Sequence, residues 1–219
     1  MGDKLRLRFS KTGKAKYISH LDLMTTMRRA LLRSGVELSY SGGFNPHPYM
    51  SAALPLPVGC GSVCELMDVG TVGDYATDML PEIITAALPE GLQILEAYAP
   101  ERKFAGIKWL ELNGRLFYDS STQLGASNRL TERFRADSIV IQKKTKRGVA
   151  DIDIVPFIRD PVFSESDGMT FTVLVSAQNP TISPENLIGA LDDADIALKP
   201  DFAMFTRIEI FDEEMNVFR

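Results

Sequence analysis

Residues 41–59 place four of the twelve prolines and three of the sixteen glycines of this chain in one stretch. Proline fixes φ and lacks an N–H donor, so this stretch cannot lie inside a helix or a central strand. Its apolar residues also distinguish it from a solvated linker. The sequence therefore predicts a shaped loop that separates the elements before it from those after it.

Two well-marked elements precede the loop. Residues 4–10 alternate between apolar and basic side chains, which predicts a half-buried strand with a basic outer face. The apolar positions are Leu5, Leu7 and Phe9, and the basic positions are Lys4, Arg6 and Arg8. Ser19 is the predicted N-cap of a helix that ends at Gly35, and Asp22 completes a capping box. The buried stripe of this helix is predicted to be Leu23, Met24, Met27, Ala30 and Leu31.

The order of the elements predicts the fold class. After the capped helix, the first half continues with strands at 36–40 and 63–69, a helix at 73–88 and a strand at 92–98. The order strand, helix, strand, strand, helix, strand is typical of the split βαβ, or ferredoxin-like, fold.

The second half repeats this order with one surplus strand. Strands are predicted at 107–118, 138–144, 149–158, 170–176 and 202–212, and helices at 127–135 and 183–191. A chain of 219 residues is long enough for two domains of about a hundred residues each. We therefore predict an α+β protein of two tandem ferredoxin-like (split βαβ) units with antiparallel sheets, at residues 1–103 and 104–219.

Positive charge is concentrated near the N-terminus. Residues 1–50 carry nine lysines and arginines against three acids, or +6, although the net charge of the chain is −5. This is the charge of a phosphate-facing surface, and a solvated basic face is the alternative. The predicted phosphate contacts are Arg6, Arg8, Arg28, Arg29 and Arg33, with Lys144 and Arg147 of a basic hairpin in the second half. Because no apolar run is long enough to span a membrane and the start does not resemble a signal peptide, we expect a cytoplasmic protein without a membrane partner.

The chain has two histidines, each in a marked local setting. His20 follows the helix N-cap, and His47 is held between two prolines in Asn45–Pro48. Either imidazole is a candidate general base. The alternatives are a polar first-turn residue for His20 and a residue that ties the loop together for His47. Phe44 and Tyr49 lie on either side of Asn45–Pro48, and they would stack on a base or anchor the loop to the core.

Two cysteines and two acids lie near the strand that follows the loop. Cys60 and Cys64 are too few for a four-thiolate zinc site or an iron–sulfur site. A site that combines them with the two histidines matches no common zinc motif, so buried thiols are favoured. Glu65 and Asp68 face opposite sides of an extended strand, and a salt bridge to an arginine is their predicted role. Together, the proline-rich loop, the helix start at Ser19 and Glu65 are the best candidate for one functional surface.

Several motifs together resemble one protein family. They are Tyr17-Ile18-Ser19-His20-Leu21-Asp22-Leu23, Arg28-Arg29-Ala30 and Ser41-Gly42-Gly43-Phe44-Asn45-Pro46-His47-Pro48, followed by Ser51, Leu54-Pro55, Gly59, Ser62, Glu65 and Asp68. The chain is similar here to the radical-SAM-linked family, domain of unknown function 2344, most densely over residues 5–70. The resemblance implies a freestanding partner of a radical-SAM protein with a cobalamin-type domain, because this chain lacks the third cysteine of a Cys-x-x-x-Cys-x-x-Cys motif. The family has no established activity.

Three functions are compatible with these observations. The favoured one is a non-catalytic accessory module, without a cofactor or metal of its own, that binds RNA or another substrate for a radical-SAM partner. Besides the basic residues above, its binding residues would be Tyr17, Ser19, His20, Asp22, Phe44, Asn45, His47, Tyr49 and Glu65. The second is a metal-independent RNA-processing endonuclease in which His20 or His47 is the base, both histidines lie near one phosphate, and Arg29 or a lysine stabilises the transition state. The third is a metal or small-ligand site at His20, His47 and either Glu65 or Asp68.

Overall fold

The computed structural model describes residues 3–119, 126–145, 148–166, 168–192 and 198–219. Within these ranges the chain forms four α-helices and ten β-strands, and the strands pair mostly in antiparallel fashion. This confirms the prediction of a mixed fold of helices and antiparallel strands. The chain divides into two compact units, residues 1–106 with Arg219 and residues 107–218. None of the described helices has the length and apolar character needed to cross a membrane.

The first unit contains four strands and two α-helices. They are β1 (Asp3–Lys11), α1 (His20–Arg33), β2 (Met50–Ala52), β3 (Gly61–Thr71), α2 (Leu80–Ala86) and β4 (Leu92–Tyr98), with a 3-10 turn at Gly13–Tyr17. β1 lies between β4 and β3, and β2 pairs with β3. All of these pairings are antiparallel.

α1 is the element that the sequence predicts best. The Ser19 hydroxyl accepts a hydrogen bond from the Asp22 N–H at 3.2 Å, as expected for an N-cap. Of the predicted stripe, Met24 is only partly buried, while the other four side chains lie in one hydrophobic cluster with the apolar positions of β1. Burial of each large aliphatic side chain contributes about 1.5–3 kcal/mol, so this cluster fixes α1 on the sheet.

The proline-rich loop differs from the predicted connection between two strands. Residues 36–40 do not form a separate strand: the Ser39 N–H donates to the Gly70 carbonyl at 2.9 Å, and the chain then leaves the sheet. It returns at Tyr49, whose carbonyl accepts the Gly70 N–H at 2.7 Å, and continues into β2. The loop therefore leaves one edge strand of the sheet and returns to the same strand. The connection between β2 and β3 is made by residues 53–60.

The second helix is shorter than predicted. It begins at Leu80 rather than near Gly73, and Pro81 lies in its first turn. Proline is favoured there because the first N–H groups of a helix have no acceptor within the helix. Pro81 therefore starts this helix instead of bending it.

The second unit contains six strands and two α-helices. They are β5 (Trp109–Phe117), α3 (Ala126–Phe134), β6 (Val140–Thr145), β7 (Gly148–Asp153), β8 (Ile158–Ser164), β9 (Met169–Ser176), α4 (Pro184–Asp192) and β10 (Phe202–Phe211). Four strands follow the order β10-β5-β9-β8, and β6 and β7 form the predicted hairpin as a separate two-stranded sheet.

β8 is the strand that the sequence does not predict as a separate element. The predicted strand at 149–158 is divided by a 3-10 turn at Val155–Phe157, which contains Pro156. β8 itself contains Pro161 after Asp160, whose φ of 49° lies in the left-handed region. Such residues are tolerated in a strand at a sheet edge, and β8 lies at one.

Candidate nucleic-acid interface

β3 gives the first unit two distinguishable ends. In the antiparallel pair of β1 and β3, Lys11 lies opposite Ser62 and Asp3 lies opposite Thr71. We call these the Ser62 end and the Thr71 end, and they are separated by about 30 Å of extended strand. α1 starts after the last residue of β1 and therefore runs from the Ser62 end towards the Thr71 end.

A hairpin of residues 39–49 projects from the Thr71 end. At its base, the Tyr49 N–H donates to the Ser39 carbonyl at 2.9 Å. Further out, the Ser41 N–H donates to the His47 carbonyl at 2.8 Å, and the His47 N–H donates to the Ser41 hydroxyl at 3.0 Å. These bonds close the excursion into a defined neck, so the predicted shaped loop is a hydrogen-bonded hairpin.

Gly70 holds the hairpin against β3. A Cβ atom at this position would lie 2.3 Å from the Ser39 hydroxyl and 2.9 Å from the Tyr49 Cβ. Both approaches are closer than side-chain packing permits. Only glycine allows the base of the hairpin to approach the sheet this closely.

Three aromatic side chains of the hairpin face solvent. Phe44 at the tip has a relative exposure of 111%, and Tyr49 and Tyr40 have 58% and 44%. Phe44 therefore does not anchor the loop to the core, which was one of its two predicted roles. Asn45 beside it is also exposed. Tyr40 was missed as a site residue, although an aromatic residue directly before a proline-rich loop was a usable signal.

His47 contributes its main chain to the neck, while its side chain is exposed. The predicted loop-tying role thus belongs to the backbone of this residue. Its imidazole remains accessible at the Thr71 end.

The second half of α1 brings arginines to the same end of the unit. Arg28, Arg29 and Arg33 are all exposed. Arg33 donates from Nε to the Arg29 carbonyl and from Nη2 to the Ala87 carbonyl, both at 3.2 Å. Arg33 therefore joins α1 to the end of α2, whereas Arg28 and Arg29 extend from the outer surface of the helix.

The other predicted motif lies at the Ser62 end. Tyr17 is exposed, with the Lys16 ammonium 5.1 Å from its ring centre, and His20 is exposed at the first position of α1. The Ser19 hydroxyl also donates to the Asp22 carboxylate at 2.7 Å, so both groups act in capping. This arrangement matches the structural alternative for the helix start.

The two histidines lie at opposite ends of β3, which does not fit the two hypotheses that need them in one site. His20 follows Ile18, whose carbonyl is bound by Lys11 at the Ser62 end. His47 is bonded to Ser41 in the hairpin at the Thr71 end. The endonuclease and metal-site hypotheses that use both histidines together therefore lack the geometry that they require. Among the described residues, no group of three or more His, Cys, Asp or Glu side chains is placed to hold a metal ion.

Glu65 lies under the start of α1, but it is not part of an accessible surface. It is buried on β3 close to Lys11, which is also buried and donates from Nζ to the Ile18 carbonyl at 2.9 Å. Burial lowers the pKa of Lys11, while the nearby Glu65 carboxylate and the Cys60 thiol act in the opposite direction. The buried side chains of Lys11 and Glu65 thus help to fix the turn that leads into α1.

The cysteines are buried and not joined in a disulfide, as predicted. Cys60 precedes β3, and Cys64 lies within it. The Cys64 sulfur lies 3.7 Å from the Ser62 hydroxyl. Both thiols are thus small interior side chains of the Ser62 end.

Arg6 does not belong to a basic outer face, which corrects the prediction from strand alternation. Its side chain is fully buried, and its guanidinium binds both oxygens of Asp68, at 2.6 and 2.9 Å. It also donates to the Arg102 carbonyl at 2.8 Å and lies 4.3 Å from the centre of the Phe104 ring. Arg8 is mostly buried, with Nε 4.0 Å from the Glu96 carboxylate. The salt-bridge prediction for Asp68 is confirmed, and Arg6 is unavailable to phosphate.

The basic hairpin of the second unit gives little support to a phosphate site. The ammonium of Lys143 donates to the Thr181 carbonyl, and burial lowers its pKa. The main chain of Lys144 pairs with Val149 in the β6–β7 ladder. The Lys144 side chain and Arg147 lie outside the described residues.

The segment that follows β3 is rich in acids. Residues 72–101, which include α2 and β4, contain six acids and no lysine, arginine or histidine. A shallow groove of about 540 Å³ lies between α2 and β4, lined by Pro81, Glu82, Thr85, Ala86, Gln93, Ile94 and Leu95. The Thr85 hydroxyl accepts the Ile94 N–H at 2.9 Å, which occupies a main-chain group of β4.

Comparison with known protein families shows which family this chain belongs to. Residues 4–184 match the model of a family described as "Uncharacterized protein conserved in bacteria (DUF2344)". The chain belongs to this family. The part that matches the DUF2344 family contains α1, the hairpin and all of β3, and it extends to the start of α4.

Other comparisons add little to the family assignment. No curated protein matches the chain. One similar solved structure is described as an unknown protein from Galdieria sulphuraria; the two chains are 11% identical, and the match covers 94% of this chain and 99% of that one. Its TM-score of 0.27 is too low to support a shared fold.

Proposed function

We propose that this DUF2344 protein is an RNA-binding accessory module for a radical-SAM partner of the cobalamin type. The observation that carries the proposal is the position of two features at one end of the first unit. Exposed arginines of α1 and the exposed aromatic residues of the 39–49 hairpin both lie at the Thr71 end. Cations that bind phosphates, together with aromatic rings that stack on bases, are the usual components of RNA-binding surfaces.

The charges of the first unit support this assignment. Residues 12–33 carry five lysines and arginines against one acid, a net charge of +4, and the acid is the capping residue Asp22. Residues 72–101 carry a net charge of −6. A phosphate backbone is attracted to the first segment and repelled by the second, so RNA would lie along α1.

The partner is proposed from the family resemblance. The chain has two cysteines, both buried, whereas a radical-SAM cluster needs three accessible thiolates from one protein. We therefore assign the radical chemistry to the partner and the holding of the RNA to this chain.

The strand orders support a ferredoxin-like ancestry for both units. The first unit has the order β4-β1-β3-β2 and the second has β10-β5-β9-β8, with antiparallel pairs throughout. In our proposal, each unit is a split βαβ variant, and the β6–β7 hairpin is an insertion in the second.

The RNA proposal is tested by fluorescence anisotropy with a labelled stem-loop RNA and the purified chain. We expect binding at about 50 mM salt that weakens steeply as salt is added. The double variant Arg28→Ala/Arg29→Ala should bind more weakly, with the slope of log K against log salt reduced by about 1.4 to 1.8, because two phosphate contacts are lost. Arg33 is left intact because it also bonds to two carbonyl groups.

The matched control is Lys103→Ala/Lys199→Ala, which removes two exposed cations outside α1. It should bind RNA as the unchanged chain does. Absence of binding at low salt, or equal losses in the two double variants, would overturn the proposal.

The partner is tested by co-purification. A tagged chain expressed in its own host should retain the radical-SAM protein after RNase treatment, and sequencing should identify the RNA that it retains without that treatment. If repeated preparations contain no radical-SAM protein, the accessory role is rejected.

A further inference from the structure

We infer that the 39–49 hairpin is a stacking site for unpaired bases, so the ligand is RNA with single-stranded nucleotides and not a continuous duplex. This inference rests on the proposed RNA-binding function and specifies what that site recognises.

The hairpin presents its aromatic residues in a preorganised form. Two hydrogen bonds between Ser41 and His47 and one between Ser39 and Tyr49 close its neck. Pro46 and Pro48 restrict the backbone on the return side. The backbone that carries the rings is therefore ordered before a ligand binds, which lowers the conformational cost of recognition.

The aromatic side chains do not hold the hairpin in place by packing into the core. Phe44 is fully exposed, and Tyr40 and Tyr49 keep about half of their surface in solvent. The hairpin is fixed instead by main-chain bonds to Gly70 and by the absence of a side chain there. The rings at and near its tip are therefore available for a ligand.

An exposed ring selects unpaired bases for a geometric reason. In a duplex, both faces of each base are covered by neighbouring base pairs, so a side chain gains stacking only by separating them. Bases in loops and bulges are already open to aromatic residues. Arg29 lies in the second half of α1, at the same end of the unit as the hairpin, where it would bind the adjoining phosphate.

The test compares two labelled RNAs of equal composition, a hairpin with a single-stranded loop and a fully paired duplex. The unchanged chain should prefer the looped RNA. Phe44→Ala should weaken binding of the looped RNA about tenfold and leave duplex binding unchanged. Phe44→Trp should keep the preference, whereas Phe44→Leu should lose it, because leucine retains an apolar side chain without an aromatic face.

Fluorescence gives a direct reading of stacking. The one tryptophan of the chain, Trp109, is 8% exposed, so Phe44→Trp adds a ring in a different environment. Looped RNA should quench the added emission. The matched control is Val58→Trp, at an exposed position before β3, near the Ser62 end, and its emission should not change.

The outcomes separate this inference from the proposed function. If Arg28→Ala/Arg29→Ala weakens RNA binding while Phe44→Ala has no effect, stacking is overturned and RNA binding stands. If Phe44→Ala weakens duplex and looped RNA equally, the selectivity is overturned. If the chain binds neither RNA, both proposals fail, and a protein ligand for the hairpin becomes the explanation to pursue. Thermal melting of Phe44→Ala should match that of the unchanged chain, because the removed ring is exposed.

Discussion

At the scale of single residues, Arg6 is held in the interior by its pairing with Asp68. We expect Asp68→Ala to lower the free energy of unfolding by about 3 kcal/mol, because it leaves a buried guanidinium without its carboxylate. The control is Glu213→Ala, which removes an exposed partner 3.7 Å from Lys108 and should cost less than about 1 kcal/mol. Urea unfolding measures both values. Equal losses would show that the Arg6 pair behaves as a surface salt bridge.

Tyr118 makes the stability of the second unit sensitive to alkaline pH. Its hydroxyl donates to the Leu198 carbonyl at 2.9 Å, and burial raises its pKa to about 12. The unfolded chain loses this proton at a pH near 10, before the folded chain does. The stabilising contribution of Tyr118 is therefore complete below pH 10 and is lost as the pH rises towards 12.

The measurement compares unfolding of the unchanged chain and Tyr118→Phe at several pH values. Near pH 8 the variant should be less stable by about 1 kcal/mol, since it lacks one hydrogen bond. The difference should shrink as the pH rises above 10. A difference that stays constant with pH would contradict the assignment.

At the scale of elements, the hairpin depends on a contact that only glycine permits. Gly70→Ala should move the hairpin away from β3, because the new Cβ would lie 2.9 Å from the Tyr49 Cβ, which cannot rotate away. Overpacking of this kind costs about 1–3 kcal/mol. The matched control is Gly42→Ala in the same hairpin, where a Cβ would have no other atom within 4 Å.

Thermal melting and looped-RNA binding are measured for both glycine variants. Gly70→Ala should lower the melting temperature and weaken binding of the looped RNA, whereas Gly42→Ala should change neither. If the two variants behave alike, the close packing of the hairpin against Gly70 is not needed for stability or for RNA binding.

The elements that local pattern predicts are those whose contacts are local. The cap at Ser19 and the apolar stripe of α1 are determined by residues of a single helix, so the sequence predicts both. The sequence does not predict the edge strand from which the loop leaves and to which it returns. Its two parts, at Ser39 and Tyr49, are joined only by hydrogen bonds to Gly70, which lies more than twenty residues further along the chain. β8 was missed because Pro161 interrupts its pattern, and an edge position, which tolerates proline, is not visible in the sequence.

The candidate site was predicted unevenly for the same reason. The prolines around His47 indicated a shaped loop, and the structure has one. Strand alternation placed Arg6 outside, since nothing near it in the sequence indicates that Asp68 and Phe104 enclose it. The separation of the two histidines follows from the register of β1 with β3, which local periodicity does not determine.

At the scale of the whole molecule, the net charge of −5 means that RNA binding must depend on a local basic surface. In the first unit, α1 offers that surface, and residues 72–101 oppose it with six acids. Tyr40, Phe44 and Tyr49 lie in the hairpin at one end of α1, whereas Tyr75 and Tyr98 lie within the acidic segment. The unit thus carries two sets of aromatic residues that differ in exposure, since the hairpin rings face solvent whereas Tyr75 and Tyr98 are partly buried.

Ultraviolet cross-linking of looped RNA to the chain, followed by mass spectrometry, distinguishes these sets. We expect cross-links at Phe44 and its neighbouring tyrosines and none at Tyr75 or Tyr98, because those two rings are partly buried. Phe44→Ala should remove the cross-link at position 44, and Arg28→Ala/Arg29→Ala should reduce all hairpin cross-links together. Cross-links concentrated at Tyr75 or Tyr98 would contradict the placement of RNA at the hairpin.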